Sequence, residues 1–335
     1  MAIGAYGYLT IAYPDFAEPR QLIGSGIVAS WELSEVGRLS CLLPARDAHR
    51  AGFADLKGKW IAYQHPMVGP WAGIIEDPPS TPETGILEIS AATMERDLAN
   101  RRMPLGYAPA PGHAGALALR SLNDAHAFDP LPYADVSADE DGVILGLESR
   151  EDDLFTVWRG LAQQSGQDFL VDVDADSLAL SLKWRIRMGV ETDVLFTDRD
   201  VAGRVDDSLT TIKNDWLGIA DNQEYARSAR AWIEDADSIA EFGRQQGTAR
   251  YVGVTSKTSI LPLALADIKQ FAKPLYLPTL TVSGRDVRLR DVRVGNTVIY
   301  QSRAVNRLLA FRVRSISVDA TANLVTLAGD AREID

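Results

Sequence analysis

The chain has 335 residues, 46% hydrophobic and 24% charged, with 46 acids against 34 bases and a formal net charge of -12. This is ordinary globular composition, which excludes disordered and fibrous classes, and the acidic balance argues against tight nucleic-acid binding, which needs clustered Lys and Arg. No run approaches the roughly eighteen apolar residues of a membrane span, and the start, MAIGAYGYLTIAYPDFAEP, lacks a basic n-region and meets an acid at Asp15, so no secretory signal is expected.

From the N-terminus to about residue 92, six short apolar runs punctuated by Gly, Pro and Asp predict strands at 7–13, 26–33, 38–43, 60–64, 71–76 and 85–90, an antiparallel barrel or sandwich. Cys41 lies inside the apolar run Leu39-Ser-Cys-Leu-Leu43 and reads as a small core residue. Asp77-Pro-Pro-Ser80 ends a hairpin, since proline cannot donate to a ladder. A polar helix is expected at 93–102, stopped by Pro104 and Gly106, and an alanine-rich one at 114–122. The Asp, Pro and Ser of 123–142 predict a surface loop.

The clearest helix starts at Ser149 or Asp152 and ends at Gly166, with Leu154, Val157, Trp158 and Leu161 in one stripe and acids at Glu151, Asp152 and Asp153 facing its positive end. A hairpin follows at 169–173 and 178–186. The stretch 210–243 then reads as a hairpin turning at Asp221-Asn222, with a return strand from Tyr225 to Ile233 and a helix opened by the capping-box spacing of Ser238 and Glu241. Beyond it come a strand at 249–255, a helix at 259–272 whose Leu261, Leu265 and Ile268 share a face, and strands at 277–282, 291–299, 309–318 and 323–327. No internal repeat is visible.

Few residue groups suggest chemistry. Asp172, Asp174 and Asp176 have calcium-loop spacing, but Ser177 and Lys183 occupy the positions that need Gly and Glu, and a turn explains the acids. His49, His65, His113 and His126 are too scattered for a zinc site. Gly24-Ser25-Gly26 lacks the frame of a nucleophile elbow and reads as a β-turn. Glu148 with Asp152 or Asp153 has the residue types of a glycosidase acid–base pair, although helix-end electrostatics already account for them. Trp31, Trp60, Trp71, Trp158, Trp184, Trp216 and Trp232 would line a sugar-binding face if exposed, but most sit at inward periods. We therefore assign no catalytic, cofactor-binding or metal-binding residue.

The order of elements resembles the baseplate hub and tail-tip proteins of tailed bacteriophages, the gp27-like group and the tail hubs of siphophages. Three places carry the likeness. The first is Trp31 to Leu43 with its Glu35-Val-Gly37 turn, followed by Gly58-Lys-Trp-Ile-Ala62, Trp71-Ala-Gly-Ile-Ile75 and Leu87-Glu-Ile-Ser90. The second is Asp206 to Gly243, with Ile212-Lys-Asn214 and Asp237-Ser-Ile-Ala-Glu-Phe-Gly243. The third is Val292-Arg-Val-Gly-Asn-Thr-Val-Ile299 with Arg312-Val-Arg-Ser-Ile-Ser-Val318.

The resemblance implies an α+β, mainly β fold: two tube-type β-barrel domains, the first from 1–100 and 206–235, the second from 236–335 with two helices, and an α+β domain inserted at 101–205. Residues 212–233 would then return to pair with strands of 1–92. It also implies a non-enzymatic structural hub of the virion tail tip, assembled in the host cytoplasm, in which a homotrimer adapts a sixfold tail tube to a threefold tip. Partners would be tail tube and distal tail proteins and a tape-measure protein or central spike or fibre, with DNA passing through the lumen. Some such hubs carry a lytic extension, and the end at Asp335 implies that cell-wall hydrolysis falls to another subunit. A glycan or peptidoglycan hydrolase and a carbohydrate-binding adhesin of the tail tip are the alternatives.

Overall fold

The computed structural model describes residues 6–53, 55–76, 85–125, 131–149, 152–208, 212–220, 229–251, 257–303 and 305–334. Its N-terminal part consists of β1 (Tyr6–Tyr13), β2 (Ala17–Glu32), β3 (Arg38–Pro44), a short helix α1 (Ala45–Arg50), β4 (Trp60–His65), β5 (Gly69–Ile75) and β6 (Ile86–Thr93). Period-two alternation sets the faces: Leu39, Cys41 and Leu43 of β3 and Leu87, Ile89 and Ala91 of β6 point into one core, and the residues between them face outward. Pairing runs β1-β4-β5-β6-β3-β2 and returns to β1, so the six strands close into a ring without a free edge.

The next segment holds α2 (Arg96–Ala99), β7 (Gly112–His113), α3 (Ala114–Asp124), β8 (Asp135–Ala138), β9 (Ile144–Leu145), α4 (Leu154–Ser165), β10 (Asp168–Val173) and β11 (Leu180–Arg185). Asp153 caps α4 by accepting from the Thr156 amide at 2.9 Å, and Gly166 ends it in the left-handed region at φ 68. The buried face of α4 lies on the sheet β10-β11-β8 through an aromatic cluster. Trp158 meets Phe169 and Trp184 edge-on at 5.5 and 5.3 Å, while Phe169 and Trp184 stack at 5.9 Å. The same core takes in Trp60, Ala62 and Ala72 from the outer face of the ring. β4 is thus apolar on both faces, Ile61 and Tyr63 inward and Trp60 and Ala62 beneath the insert.

The C-terminal part contains β12 (Glu191–Thr197), β13 (Ala202–Ser208), β14 (Asp215–Ala220), β15 (Arg230–Glu234), α5 (Ala236–Phe242), β16 (Gln246–Tyr251), α6 (Lys257–Phe271), β17 (Leu275–Ser283), β18 (Thr297–Ser302), β19 (Arg307–Asp319) and β20 (Leu324–Glu333). Six of these strands run β12-β18-β19-β20-β17-β13. Numbered within each set, both sets have the order one-four-five-six-three-two, and each has a short helical segment between its third and fourth strands, α1 in the first and a 3-10 turn at Val287–Asp291 in the second. The repeat is imperfect: β12 is parallel to β18 whereas β1 is antiparallel to β4, and no pairing joins β12 to β13 among the described residues.

One strand joins the two sets. The first half of β19 pairs with β18, its second half pairs with β2 from Ser315↔Glu32 to Asp319↔Val28, and β20 lies along its other side. The β19–β20 register steps from Val313↔Gly329 to Ser315↔Ala328, leaving Arg314 as the extra residue of a bulge.

Several expectations are corrected. Among the described residues, 212–220 and 229–233 do not pair with strands of 1–92: β14 pairs with β15 and β16 in a separate three-stranded sheet covered by α6. Asn214, fully buried, ties this unit together, its amide donating to Ser238 Oγ and Gly243 O and accepting from the Gln245 amide. The cap of α5 is Asp235, which accepts from the Ser238 amide, not Ser238 itself. Residues 191–205, expected in the insert, contribute β12 and most of β13 to the large sheet.

Helix 93–102 shrinks to α2, the loop at 123–142 contains β8, and the strand expected at 291–299 is a 3-10 end followed by β18. On α6 the buried face is Ile260, Ala264 and Ile268, with Leu261 and Leu265 exposed. Two glycine-like contacts explain that choice, because a Cβ on Gly218 of β14 would lie 2.8 Å from Ile260 and 3.1 Å from Ala264, so the helix rests where the sheet is thinnest. The turns at Asp221-Asn222 and Asp77-Pro-Pro-Ser80, the return strand at Tyr225, and residues 252–255 lie outside the described residues.

Opposite the bulge, a Cβ on Gly329 would lie 2.0 Å from the Arg312 carbonyl. Gly329→Ala is expected to destabilise the chain by about 2 kcal/mol, in the range of overpacking and strain. A lower denaturant midpoint with unchanged slope checks this; wild-type stability would contradict it.

Candidate functional site

The residue groups weighed from sequence do not converge on a reactive centre. Asp153 is spent on the α4 cap, and Asp152 accepts from Ser149 Oγ at 2.9 Å. Asp174 accepts from the amides of Asp176 and Ser177 in a turn, and Asp172 pairs with Lys183 at 2.6 Å. No cluster of three His, Cys, Asp or Glu that would hold a metal occurs among the described residues. His65 is buried, its Nδ1 accepting from the amides of Met67 and Val68, and burial lowers its pKa. His113 Nδ1 lies 2.9 Å from Gly142 O, His49 is in α1, and His126 lies outside the described residues. Gly24 and Ser25 sit within β2, where Ser25 pairs with both Tyr6 and Leu42, so the expected turn is strand. Burial pushes the Cys41 thiol up to about 12, leaving it inert. Of the seven tryptophans only Trp232 is exposed, so they form no shared sugar-binding face.

What the fold does bring together is a junction at β10, the strand of the insert that touches both strand sets. At its start Asp168 is 2% exposed and accepts from the Met188 amide at 3.0 Å, from Arg312 Nη2 and from Arg314 Nη1 at 3.1 Å. Arg314 is the bulged residue of β19, and its Nε also donates to Asp330. The bulge therefore aims a guanidinium between two carboxylates. Next along β10, the Phe169 amide donates to Ser34 Oγ and its carbonyl accepts from the Ser34 amide, fastening the insert to the turn after β2. Further on, the Val171 amide donates to Glu95 Oε1 at 2.7 Å, two residues past β6.

Glu95 is fully enclosed. Burial pushes its carboxyl up to about 7, against the Val171 amide and the Thr93 hydroxyl, which favour the charged form. Its second oxygen, Oε2, is buried and has no hydrogen-bond partner of ordinary geometry among the described residues. It lines a cavity of about 340 Å³ between the ring (Trp31, Trp71), the β10–β11 hairpin (Asp172, Lys183) and the turn before β18 (Arg293).

None of these junction residues was legible from periodicity. Arg312 and Arg314 alternate with Phe311 and Val313 and read as a solvent face, and Glu95 stands alone between a strand and a short helix. The only hint was the repeated charge at outward positions of β19, where Arg312 is half-buried and Arg314 exposed.

No protein-family model matches the sequence, and no curated protein matches it either. Solved structures match over nearly the whole chain. Prophage tail protein gp18 from Listeria monocytogenes EGD-e aligns with a TM-score of 0.69 at 10% identity, covering 98% of this chain and 95% of that one. A 43 kDa tail protein of prophage MuSo2 from Shewanella oneidensis gives 0.64 at 13% identity, covering 97% and 98%. An Escherichia coli component of the type VI secretion system, described as structurally similar to the T4 bacteriophage tail proteins gp27 and gp5, gives 0.53 at 9% identity, covering 98% and 74%. The fold of this chain is that of phage tail proteins.

Two outcomes test the junction. Asp168→Ala leaves the largely buried Arg312 without its partner and is expected to cost about 3–5 kcal/mol, read from chemical denaturation. For Glu95 the folded pKa lies above the ordinary carboxyl value, so its favourable effect is present below about pH 4.5 and is lost as pH rises through about 7. The wild type should therefore lose stability relative to Glu95→Gln between pH 5 and 8, by about 2–3 kcal/mol. Parallel stability curves for the two proteins would refute this.

Proposed function

We propose that the chain is a structural hub of a phage-type tail tip or baseplate, three copies of which form a ring that adapts a sixfold tube to a threefold tip. The observation that carries this is the repeated strand order. Two six-stranded sets with the same order in one chain supply six similar units when three copies surround an axis, which is what meeting a sixfold tube requires. The likeness over nearly the whole chain to phage tail proteins supports the same reading.

In this reading the closed N-terminal ring and the second strand set are the two tube-type units. Among the described residues the outer flanks of β12 and β13 have no strand partner and are available to a neighbouring copy, whereas the first set offers no edge. Partners are tail tube and distal tail proteins and a tape-measure protein or central spike or fibre; the hub is carried in the virion after assembly in the host cytoplasm. DNA passes through the lumen without specific binding. The net charge of -12 suits this, because acidic walls do not retain a polyanion. Its role is geometric, with no turnover. Among the described residues no helix is long and apolar enough to cross a membrane.

Native mass spectrometry and light scattering on the purified chain, alone and with tube protein, test the assembly. A trimer, or a trimer formed only on the tube, is the expected result; a monomer under both conditions at about 10–100 μM, which spans ordinary protein-association affinities, refutes it. Particle images of the ring test the lumen: a basic or apolar wall would sink the claim about DNA passage.

A further inference from the structure

We propose that the outer face of the N-terminal ring is a docking strip for an amphipathic, basic helix of another protein, laid across β1, β2, β3 and β6. The strip lies within one chain, so the inference does not depend on a ring of three copies.

The observation is a run of large apolar side chains on the water-facing side of the strands. Tyr8, Ile23, Val28, Leu42 and Ile86 are between 40% and 71% exposed, while the residues that alternate with them, such as Leu9, Cys41 and Leu87, fill the core within. The register makes the five neighbours. Tyr8 pairs with Ile23, Ser25 two residues further pairs with Leu42, Val28 pairs with Ser40, and Pro44 two residues beyond Leu42 pairs with Ile86. The period of two keeps them all on one face, and the small Ser25 and Ser40 leave room between the larger side chains.

The other half of the same face shows what outward apolar side chains do on this ring. Trp60, Ala62 and Ala72 of β4 and β5 are buried because the insert covers them. Over β1, β2, β3 and β6 nothing covers the strip among the described residues. A contiguous exposed apolar patch on the order of a few hundred Å² marks an interaction site. The strip is also peculiar to the first set. On the second, the exposed Leu277 and Leu324 stand towards opposite ends of the β17–β20 pairing, with Thr279, Thr281 and Thr326 between them. A contact made alike by both sets would need the two faces to match, so the strip serves a guest that meets the first set alone.

Size, backbone and charge identify the guest. Five exposed side chains fall short of the roughly 800 Å² that each partner gives to a standard interface, so a second globular copy is larger than the strip can hold. The ring is closed, so a segment lying on this face finds no free strand edge and must satisfy its own amide hydrogen bonds, as a helix does and a lone strand does not. Crossing four strands covers three spacings, about 14 Å, which about three turns of helix span. Glu88 pairs with Leu42 in the middle of the strip, is exposed, and has no side-chain partner among the described residues. A helix with Lys or Arg beside its apolar face complements that acid and the net charge of -12.

The test uses the full chain and a labelled amphipathic peptide of about fourteen residues, read by fluorescence anisotropy. Its leucines have the helical i, i+3, i+4 and i+7 spacing and lysines stand beside them. Two further peptides carry glutamates in place of the lysines, or a central proline that breaks the helix. Saturable binding of the lysine peptide is expected, weakened about tenfold or more in the double variant Ile23→Ser/Leu42→Ser, which loses two large apolar contacts. Leu277→Ser, similarly exposed on the second set, should leave binding unchanged. Glu88→Lys should reverse the preference, so that the glutamate peptide binds more tightly. All of these side chains are exposed, so the variants should melt as the wild type does; Tyr8→Ser takes the place of the double variant if that one unfolds. No saturable binding, equal affinity in wild type and strip variant, or equal binding of the proline peptide overturns the proposal. So does a wild-type chain that self-associates through the strip without taking up peptide, since the occupant is then a second copy. A monomer that binds the lysine peptide upholds the strip and refutes the ring, so the two readings fail separately.

Discussion

β19 is hydrogen-bonded to β18 over its first half, to β2 over its second and to β20 throughout, and the two strand sets share no other strand. A strand in two sheets must change direction where it leaves one and enters the other. The bulge at Arg314 makes that change, since an extra residue kinks its strand and raises the local twist. The same residue donates to Asp168 and Asp330, and its carbonyl accepts from the Leu33 amide. Bend, charge and seam are thus one feature, and shifting the register by one residue would undo all three.

The insert is integral for a related reason. Its core includes Trp60, Ala62 and Ala72 from the outer wall of the ring, so removing it would expose apolar surface on β4 and β5 that is otherwise met only in part, by Phe16 against Trp60, among the described residues. β10 then fixes its position through three separate clasps, Asp168, Phe169 with Ser34, and Val171 with Glu95.

Local chemistry was readable in the sequence and long-range pairing was not. Leu154, Val157, Trp158 and Leu161 share the buried face that their spacing demanded, and five of the six strands of the ring lie within about three residues of their expected places, whereas β2 begins at Ala17 rather than at 26, because alternation and turn residues act locally. On α6, Leu261 and Leu265 and the pair Ile260 and Ala264 satisfy the same period one residue apart, and only the sheet beneath, thinned at Gly218, decides between them. The return of 212–233 to the ring failed likewise: β14 alternates as any half-buried strand does, and its partner is fixed by α6 and Asn214, which periodicity does not encode. The repeated strand order is hidden because the second copy is interrupted between β13 and β17 and its side chains follow different packing. Glu95 and Asp168 were invisible as a pair of clasps because their partners come from distant parts of the chain.

The shared strand also bears on how the molecule comes into being. The ring is complete once β6 exists and needs nothing beyond it for pairing, so it is free to fold while the rest of the chain is still being made. β2, however, must keep its flank from Val28 to Glu32 unoccupied until β19 emerges near the end of synthesis. A contact spanning most of the sequence is entropically slow to form, and an exposed strand flank is a hazard while it waits. The seam that makes two units into one body is therefore also the last to close, and until then the early half of the protein carries a vacant edge on an otherwise edgeless ring.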